Sequence, residues 1–198
     1  MSDIFQEPAD ATPLEPEERQ ELIPSWITSQ HDLNLAEQDN IIKAVAWARK
    51  RRRTHLDEIL SAQFARSLHK RMFGQVWRWA GQYRTSERNI GVDAWRIAAE
   101  VSALLDDARC WAAQGTYPPD QIAIRLHHRL VFIHPFPNGN GRHARLLADM
   151  LIERLGGKVF SWGGGQLQST SELRARYIAA LRAADAHDIV PLSKFARS

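Results

Sequence analysis

Cysteine is almost missing from this chain. Cys110 is the only one in 198 residues, so no internal disulfide can form, and a reducing compartment is expected. Long apolar runs are missing too. The longest, Leu130 to Ile133, falls far short of the roughly 20 residues that cross a bilayer as a helix. Charge of one sign is not in excess: 26 Lys and Arg stand against 23 Asp and Glu, a net charge of +3. That balance demands neither nucleic acid nor an anionic membrane, though it suits a phosphate-bearing ligand. The first 20 residues lack a basic-then-apolar leader; they are acidic and carry Pro8, Pro13 and Pro16. No secretory signal is read there, and a cytoplasmic location follows as the expectation. No internal repeat or long low-complexity tract is found.

What is present describes one soluble, mainly helical domain. With 44% apolar and 25% charged residues, the chain can bury a single sizeable core. Residues 1–30 read as a partly extended arm, mobile or docked on the body, and residues 31–198 as the domain. Helical spacing of apolar residues runs over Asn34 to Arg53 (Leu35, Ile41, Ile42, Val45, Ala46) and then over Leu56 to Trp79 as one helix or two. Helices are also expected over Ala94 to Ala113, Pro119 to His134, Arg142 to Leu155 and Ser171 to Ala184. Gly115, Pro118, Pro135, Gly156 and the run Gly163-Gly164-Gly165 punctuate them. Between the second and third of these segments, residues 81–93 lose the helical period, and their Gly, Ser and Thr content predicts a short hairpin or extended flap. The basic run Lys50-Arg51-Arg52-Arg53 reads first as a solvated helix end, where cations suit the dipole, and second as a contact for nucleic acid.

The segment His134-Pro135-Phe136-Pro137-Asn138-Gly139-Asn140-Gly141-Arg142-His143-Ala144-Arg145 carries the chemistry. Gly139 and Gly141 let the backbone turn tightly and expose consecutive N–H groups. Placed just before a helix, those groups form a concavity for an anion. Arg142 and Arg145, three residues apart, lie near one face of the first helical turn, where each guanidinium can fork onto phosphate oxygens. His134, across the loop, is the natural proton acceptor near neutral pH. Each part alone is commonplace, but together they describe phosphoryl or nucleotidyl transfer. His127, His128 and His134 lack a Cys or carboxylate at ligand spacing, so a metal cluster is not the favoured reading. His143 is expected to face solvent, and Trp77, Trp79, Trp95, Trp111 and Trp162 to pack in the core or beneath the flap.

At every fixed position this segment resembles the signature of the Fic family, HPFx(D/N/E)GNGRxxR. Gly81-Gln82-Tyr83-Arg84 followed by Asn89-Ile90-Gly91 is similar to the family's flap. Arg176 to Leu181 with Asp185 and Pro191-Leu192 is similar to its closing helix. Leu33-Asn34 and Glu37-Gln38 are similar to a subgroup called mobile mystery protein B. The resemblance spans roughly residues 30–198 and implies a helical bundle with a small β-hairpin flap.

In activity it implies a protein adenylyltransferase, in which ATP lies on the loop and a Tyr, Thr or Ser hydroxyl of a target protein attacks the α-phosphate. His134 is then the general base and Phe136 the structural anchor of the loop. Gly139, Asn140 and Gly141 cradle the α- and β-phosphates, Arg142 meets the β-phosphate, and Arg145 meets the γ-phosphate or holds the loop. Tyr177 lines the adenine site or packs as a core aromatic. Arg84, Asn89, Ile90 and Gly91 belong to the flap that clamps the target.

Asn138 stands where many active relatives carry the carboxylate that binds Mg²⁺, and a neutral amide is a weaker ligand for a hard cation. Glu37 is the candidate inhibitory residue, pairing with Arg145, and reads equally as a solvated helical Glu; a separate antitoxin is the alternative source of inhibition, and a homodimer is also expected. A Doc-like phosphotransferase, another nucleotidyl transfer, a nucleotide-binding module without turnover and a nucleic-acid-binding regulator stay open as other readings.

Overall fold

The computed structural model describes residues 14–51, 54–164 and 170–198. Pro8 and Pro13 with residues 1–13 of the expected arm, Arg52, Arg53 and Gly165, all named above, lie outside the described residues. In chain order the helices are α1 (Pro16–Arg19), α2 (Gln30–Lys50), α3 (Leu56–Ile59), α4 (Ala62–Phe73), α5 (Ile97–Gln114), α6 (Pro119–Ile133), α7 (Asn140–Arg154), α8 (Thr170–Asp185) and α9 (Val190–Arg197). Local chemistry sets most of their ends. Ser29 caps α2 by accepting from the Asp32 N–H while the Asp32 carboxylate takes the Ser29 N–H, a reciprocal capping box. Ser61 caps α4 through the Phe64 N–H. Gly115, at φ 61°, closes α5, and Pro119 opens α6, both where their backbone preferences favour them.

The helices α6 and α7 pack side by side at the centre, with α5 and α9 against α6, α4 against α7, and α2 against α4. Leu126, Leu130 and Ile133 of α6, Leu147 and Leu151 of α7, Leu68 and Met72 of α4 and Leu105 of α5 are all fully buried. Each such side chain contributes roughly 1.5–3 kcal/mol over its exposed state. Because α6 and α7 pack along each other at the centre, the loop joining them is anchored at both ends.

Three expectations need correction. On α2 the apolar stripe is not the inward face: Leu35 is 49% and Ile42 60% exposed, while Leu33, Glu37, Asn40, Ala44 and Ala48 point inward. Polar groups can take that face because they are bonded there; Asn40 donates to the Arg71 carbonyl and accepts from the Gln75 N–H. The flap has no paired strands; among the described residues the only bridge outside helices joins Leu22 and Trp77. The Arg84 and Val92 N–H groups bond to the Pro135 and Ile133 carbonyls instead of across the flap, and the Arg84 guanidinium donates to the Ser86 and Val92 carbonyls. Trp95 is exposed; the other four tryptophans weighed above are buried or packed against the core. The described part of the arm, residues 14–29, is docked: Leu14 and Ile27 are buried and the Ile23 and Arg78 N–H groups bond across to Val76 and Glu21.

Candidate active site

The centre is the turn between α6 and α7. Helix α6 ends at His134, which adopts the left-handed conformation at φ 54°, uncommon for a residue with a side chain and worth a functional explanation. Gly139, at φ 79°, begins α7. A Cβ there would meet the Phe73 ring at 2.5 Å, so only glycine fits. Helix α7 starts at Asn140, two residues before the expected start, and the sequence Asn140-Gly141-Arg142 therefore forms its first turn. Helical geometry leaves those N–H groups without intrahelical acceptors, and the helix dipole adds positive potential. At Gly141 a Cβ would make only ordinary contact, its nearest neighbour being the Tyr177 hydroxyl at 3.5 Å.

The loop is braced from below. The Asn140 amide donates to the Phe136 carbonyl at 2.8 Å and accepts the Phe136 N–H at 2.9 Å. Its side chain is thus committed to holding the turn, leaving only its backbone for a phosphate. Phe136 is buried as expected and stacks on His69, 3.7 Å between ring centroids. His143, contrary to expectation, is buried and bonded through Nε2 to the Ala65 carbonyl at 2.9 Å, because position 143 of α7 faces α4.

His134 is 9% exposed. Its Nδ1 is buried without a hydrogen bond of good geometry, and the Val131 main chain is the backbone group that favours the protonated ring. Burial, reinforced by the Arg84 guanidinium, pushes its pKa down to about 4, so the imidazole is neutral at pH 7 and able to take a proton. Arg84 does not reach out to a target. It is 2% exposed and donates to the carbonyls of His134 at 2.8 Å, Ser86 at 2.8 Å and Val92. The Arg84 N–H bonds the Pro135 carbonyl and the Val92 N–H the Ile133 carbonyl. Both limbs of the flap are thereby tied to the end of α6, with Asn89 and Ile90 exposed at its tip. Gly91 passes so close to His134 that a Cβ would lie 2.7 Å from the histidine Cβ.

The two arginines differ. Arg142 is paired with Glu37 at 2.6 Å, and Glu37, 7% exposed, also accepts the Trp77 indole N–H at 2.8 Å. Glu37 therefore holds Arg142, not the expected Arg145, because the inward face of α2 meets the first turn of α7 rather than its second. Arg145 has no ion-pair partner among the described residues; its Nε donates to the Gly141 carbonyl at 3.2 Å and its guanidinium lies over the Tyr177 ring. Burial disfavours its charge and Asp149 offsets this only in part, so an anion on the loop would relieve the remaining cost. Tyr177 sits beside the loop, its hydroxyl 3.0 Å from His127 Nε2, and burial raises its pKa to about 12.

Asn138 Oδ1 accepts the Gly139 N–H at 2.5 Å and an Arg142 N–H at 3.5 Å. Turned toward donors, that oxygen is not presented to a cation. Among the described residues no group of three His, Cys, Asp or Glu could hold a metal. His128 pairs instead with Asp185 at 2.8 Å. The donor set of the loop fits a polyphosphate, not a protein-built metal cage.

A family model described as the Fic/DOC family matches residues 59–152, the span that contains α4, the flap, α6 and the loop. The chain carries a Fic/DOC family domain. Among characterised relatives, it is 30% identical over 144 residues to Protein adenylyltransferase fic-1 of Caenorhabditis elegans, covering 71% of this chain and 26% of that protein. It is 29% identical over 132 residues to Protein adenylyltransferase Fic of Aedes aegypti, covering 65% of this chain and 25% of the relative. The chain thus spans about a quarter of the length of these curated relatives. A solved structure of C. elegans Fic-1 superimposes with a TM-score of 0.65 at 25% identity, covering 91% of this Fic-domain chain and 52% of that one. BepC of Bartonella tribocorum, solved with bound AMPPNP, superimposes with a TM-score of 0.67 at 15% identity over 92% of this chain and 97% of BepC, a likeness of fold. Among the described residues no helix is long and apolar enough to cross a membrane.

Sequence reasoning missed His69 and misplaced His143. Neither had a motif to flag it, since both lie at unremarkable helical positions and acquire partners only across helices.

Proposed function

We propose that this Fic domain transfers AMP from ATP to a Tyr, Thr or Ser hydroxyl of a target protein. The observation that carries this reading is the buried, neutral His134 set beside a helix N-terminus whose first turns bear Arg142 and Arg145, the latter with no ion pair among the described residues. The relatives named as adenylyltransferases support it. The target hydroxyl oxygen bonds to the α-phosphorus, the bond from that phosphorus to the bridging oxygen breaks, and pyrophosphate leaves. His134 takes the hydroxyl proton. The first-turn N–H groups of α7 and the two guanidinium groups take up the charge on the phosphates. Mg²⁺ is expected to arrive on the nucleotide phosphates, since Asn138 offers it no carboxylate. The target chain lies along the flap, where main-chain hydrogen bonds position the hydroxyl with little demand on side-chain identity.

Glu37 is the inhibitory residue in this reading. By neutralising Arg142 it removes one of the two cations a polyphosphate needs, and nucleotide must compete with it. A separate inhibitory protein is the alternative source of control. The reaction takes place in the cytoplasm, and self-association of the chain is a further expectation.

The test is transfer from ATP labelled at the α or the γ position, followed by intact mass, for wild type and His134→Ala. Gain of one AMP mass from α-label, lost by about 10²-fold or more in the variant, is expected. Label reaching protein from the γ position would instead mean phosphoryl transfer and overturn the assignment.

A further inference from the structure

We infer that His69 is a positioning residue that holds the root of the flap and the phosphate-binding loop in one register. It rests on the proposed nucleotide site for its functional meaning, and on geometry of its own. His69 lies in α4, fully buried, and bonds two segments far apart in the chain. Its Nδ1 accepts the Gly81 N–H at 3.0 Å. Its Nε2 lies 3.0 Å from the Asn138 carbonyl oxygen.

Those two partners leave the ring no choice of tautomer. An N–H can only donate, so Nδ1 carries no proton; a carbonyl can only accept, so Nε2 must carry one. The ring is therefore neutral and singly protonated on Nε2, and burial, with His143 and Arg142 nearby, holds its pKa well below the ordinary value. The stack on Phe136, inclined by only 20°, fixes the plane in which both bonds point.

Each bond has a downstream effect. Gly81, at φ 82°, is where the chain leaves Trp79-Ala80 and starts toward Arg84. A Cβ there would meet the Arg66 carbonyl at 2.8 Å, so the turn is tight and its N–H must be satisfied internally. Three residues on, Arg84 ties the flap to His134. At the other end, a trans peptide points its C=O and N–H in opposite directions. Drawing the Asn138 carbonyl into the core toward His69 turns the Gly139 N–H outward, to the side where the Asn138 amide oxygen now occupies it. One buried imidazole thus sets the orientation of a phosphate-facing N–H and the starting point of the target-facing flap.

Two conservative variants separate the two bonds. The amide of Asn at position 69 can accept near the Nδ1 position, and that of Gln can donate near the Nε2 position. His69→Asn is expected to raise KM for ATP about tenfold, the effect of one lost hydrogen bond in a buried site, with KM for the protein target near wild type. His69→Gln is expected to do the reverse. A purely structural role would lower the melting temperature of both variants without splitting the two KM values, and that result would overturn the proposal. A readout independent of turnover is the ¹⁵N spectrum of His69 together with amide exchange at Gly81. An Nε2–H tautomer persisting from pH 5 to 8, and Gly81 protection lost in His69→Gln but kept in His69→Asn, are expected. An Nδ1–H tautomer, or unchanged Gly81 protection in both variants, would sink the positioning role. Absence of ATP binding and transfer in the wild type would instead sink the nucleotide reading alone.

Discussion

Replacing Glu37 by Gln asks the sharpest question of the site. The Glu37 side chain is 10% exposed and its partner Arg142 38%, so the pair is only half shielded from water. A hydrogen bond between charged partners contributes about 1.5–3 kcal/mol when enclosed; solvent access to Arg142 reduces this to roughly 1–2 kcal/mol. Gln keeps an amide oxygen for the Trp77 indole N–H and removes the charge that competes with phosphate. If nucleotide must displace Glu37 from Arg142, ATP affinity should rise by about 5- to 30-fold, the factor that corresponds to that energy. Isothermal titration with a non-hydrolysable ATP analogue measures this directly. The same variant should lose melting temperature, by about 2–4 °C for each kcal/mol in a chain of this size. Transfer should increase with binding. Unchanged or weaker ATP affinity in Glu37→Gln, with the expected fall in melting temperature, would show that the Glu37–Arg142 pair is a structural brace and would refute its regulatory role.

Acid stability and one glycine provide further tests. His127, His134 and His143 are held neutral by burial, with pKa values pushed to about 3, 4 and 4. For a base whose folded pKa lies below its unfolded value, stability is complete above pH 6.5 and is lost as pH falls toward the folded pKa; at pH 4 each costs about 3 kcal/mol. Asp149, raised to about 6 mainly by burial, works the other way, gaining about 3 kcal/mol over the same descent. These three histidines against one carboxylate leave a loss of roughly 6 kcal/mol, and His69, lowered in the same direction by burial, adds to it, so chemical denaturation at pH 7 and pH 4 should show a large drop; equal stability at both would contradict the buried neutral histidines. Gly139→Ala should cost about 3 kcal/mol through left-handed strain and collision with Phe73 and should abolish ATP binding. Gly156→Ala, at φ 83° with nothing near its Cβ, should cost only about 1 kcal/mol. Comparable melting temperatures for the two variants would argue against the Phe73 contact.

The longer helices and the twelve-residue loop could be read from the chain because their causes are local; the short α1 and α9 were not. The 3.6-residue spacing, Ser29, Ser61, Gly115 and Pro119 act within a turn or two of themselves. His134 to Arg145 keep an imidazole, a turn and two guanidinium groups within one continuous stretch, so their proximity was visible from spacing, while their individual roles were implied by the family resemblance. The flap was only half legible. Its lack of helical period was visible, but Arg84 bonds it to the end of α6 across 50 residues, and no local pattern announces that a guanidinium will replace a strand ladder.

The primary structure, then, specified a helical chain with a glycine-bearing turn between two helices and a histidine beside it. Which face of α2 turns inward, which arginine Glu37 neutralises across 105 residues and which imidazole braces the loop were settled only by packing. Those pairings depend on how helices rotate against one another. That rotation is chosen by the whole core at once, and no single segment encodes it.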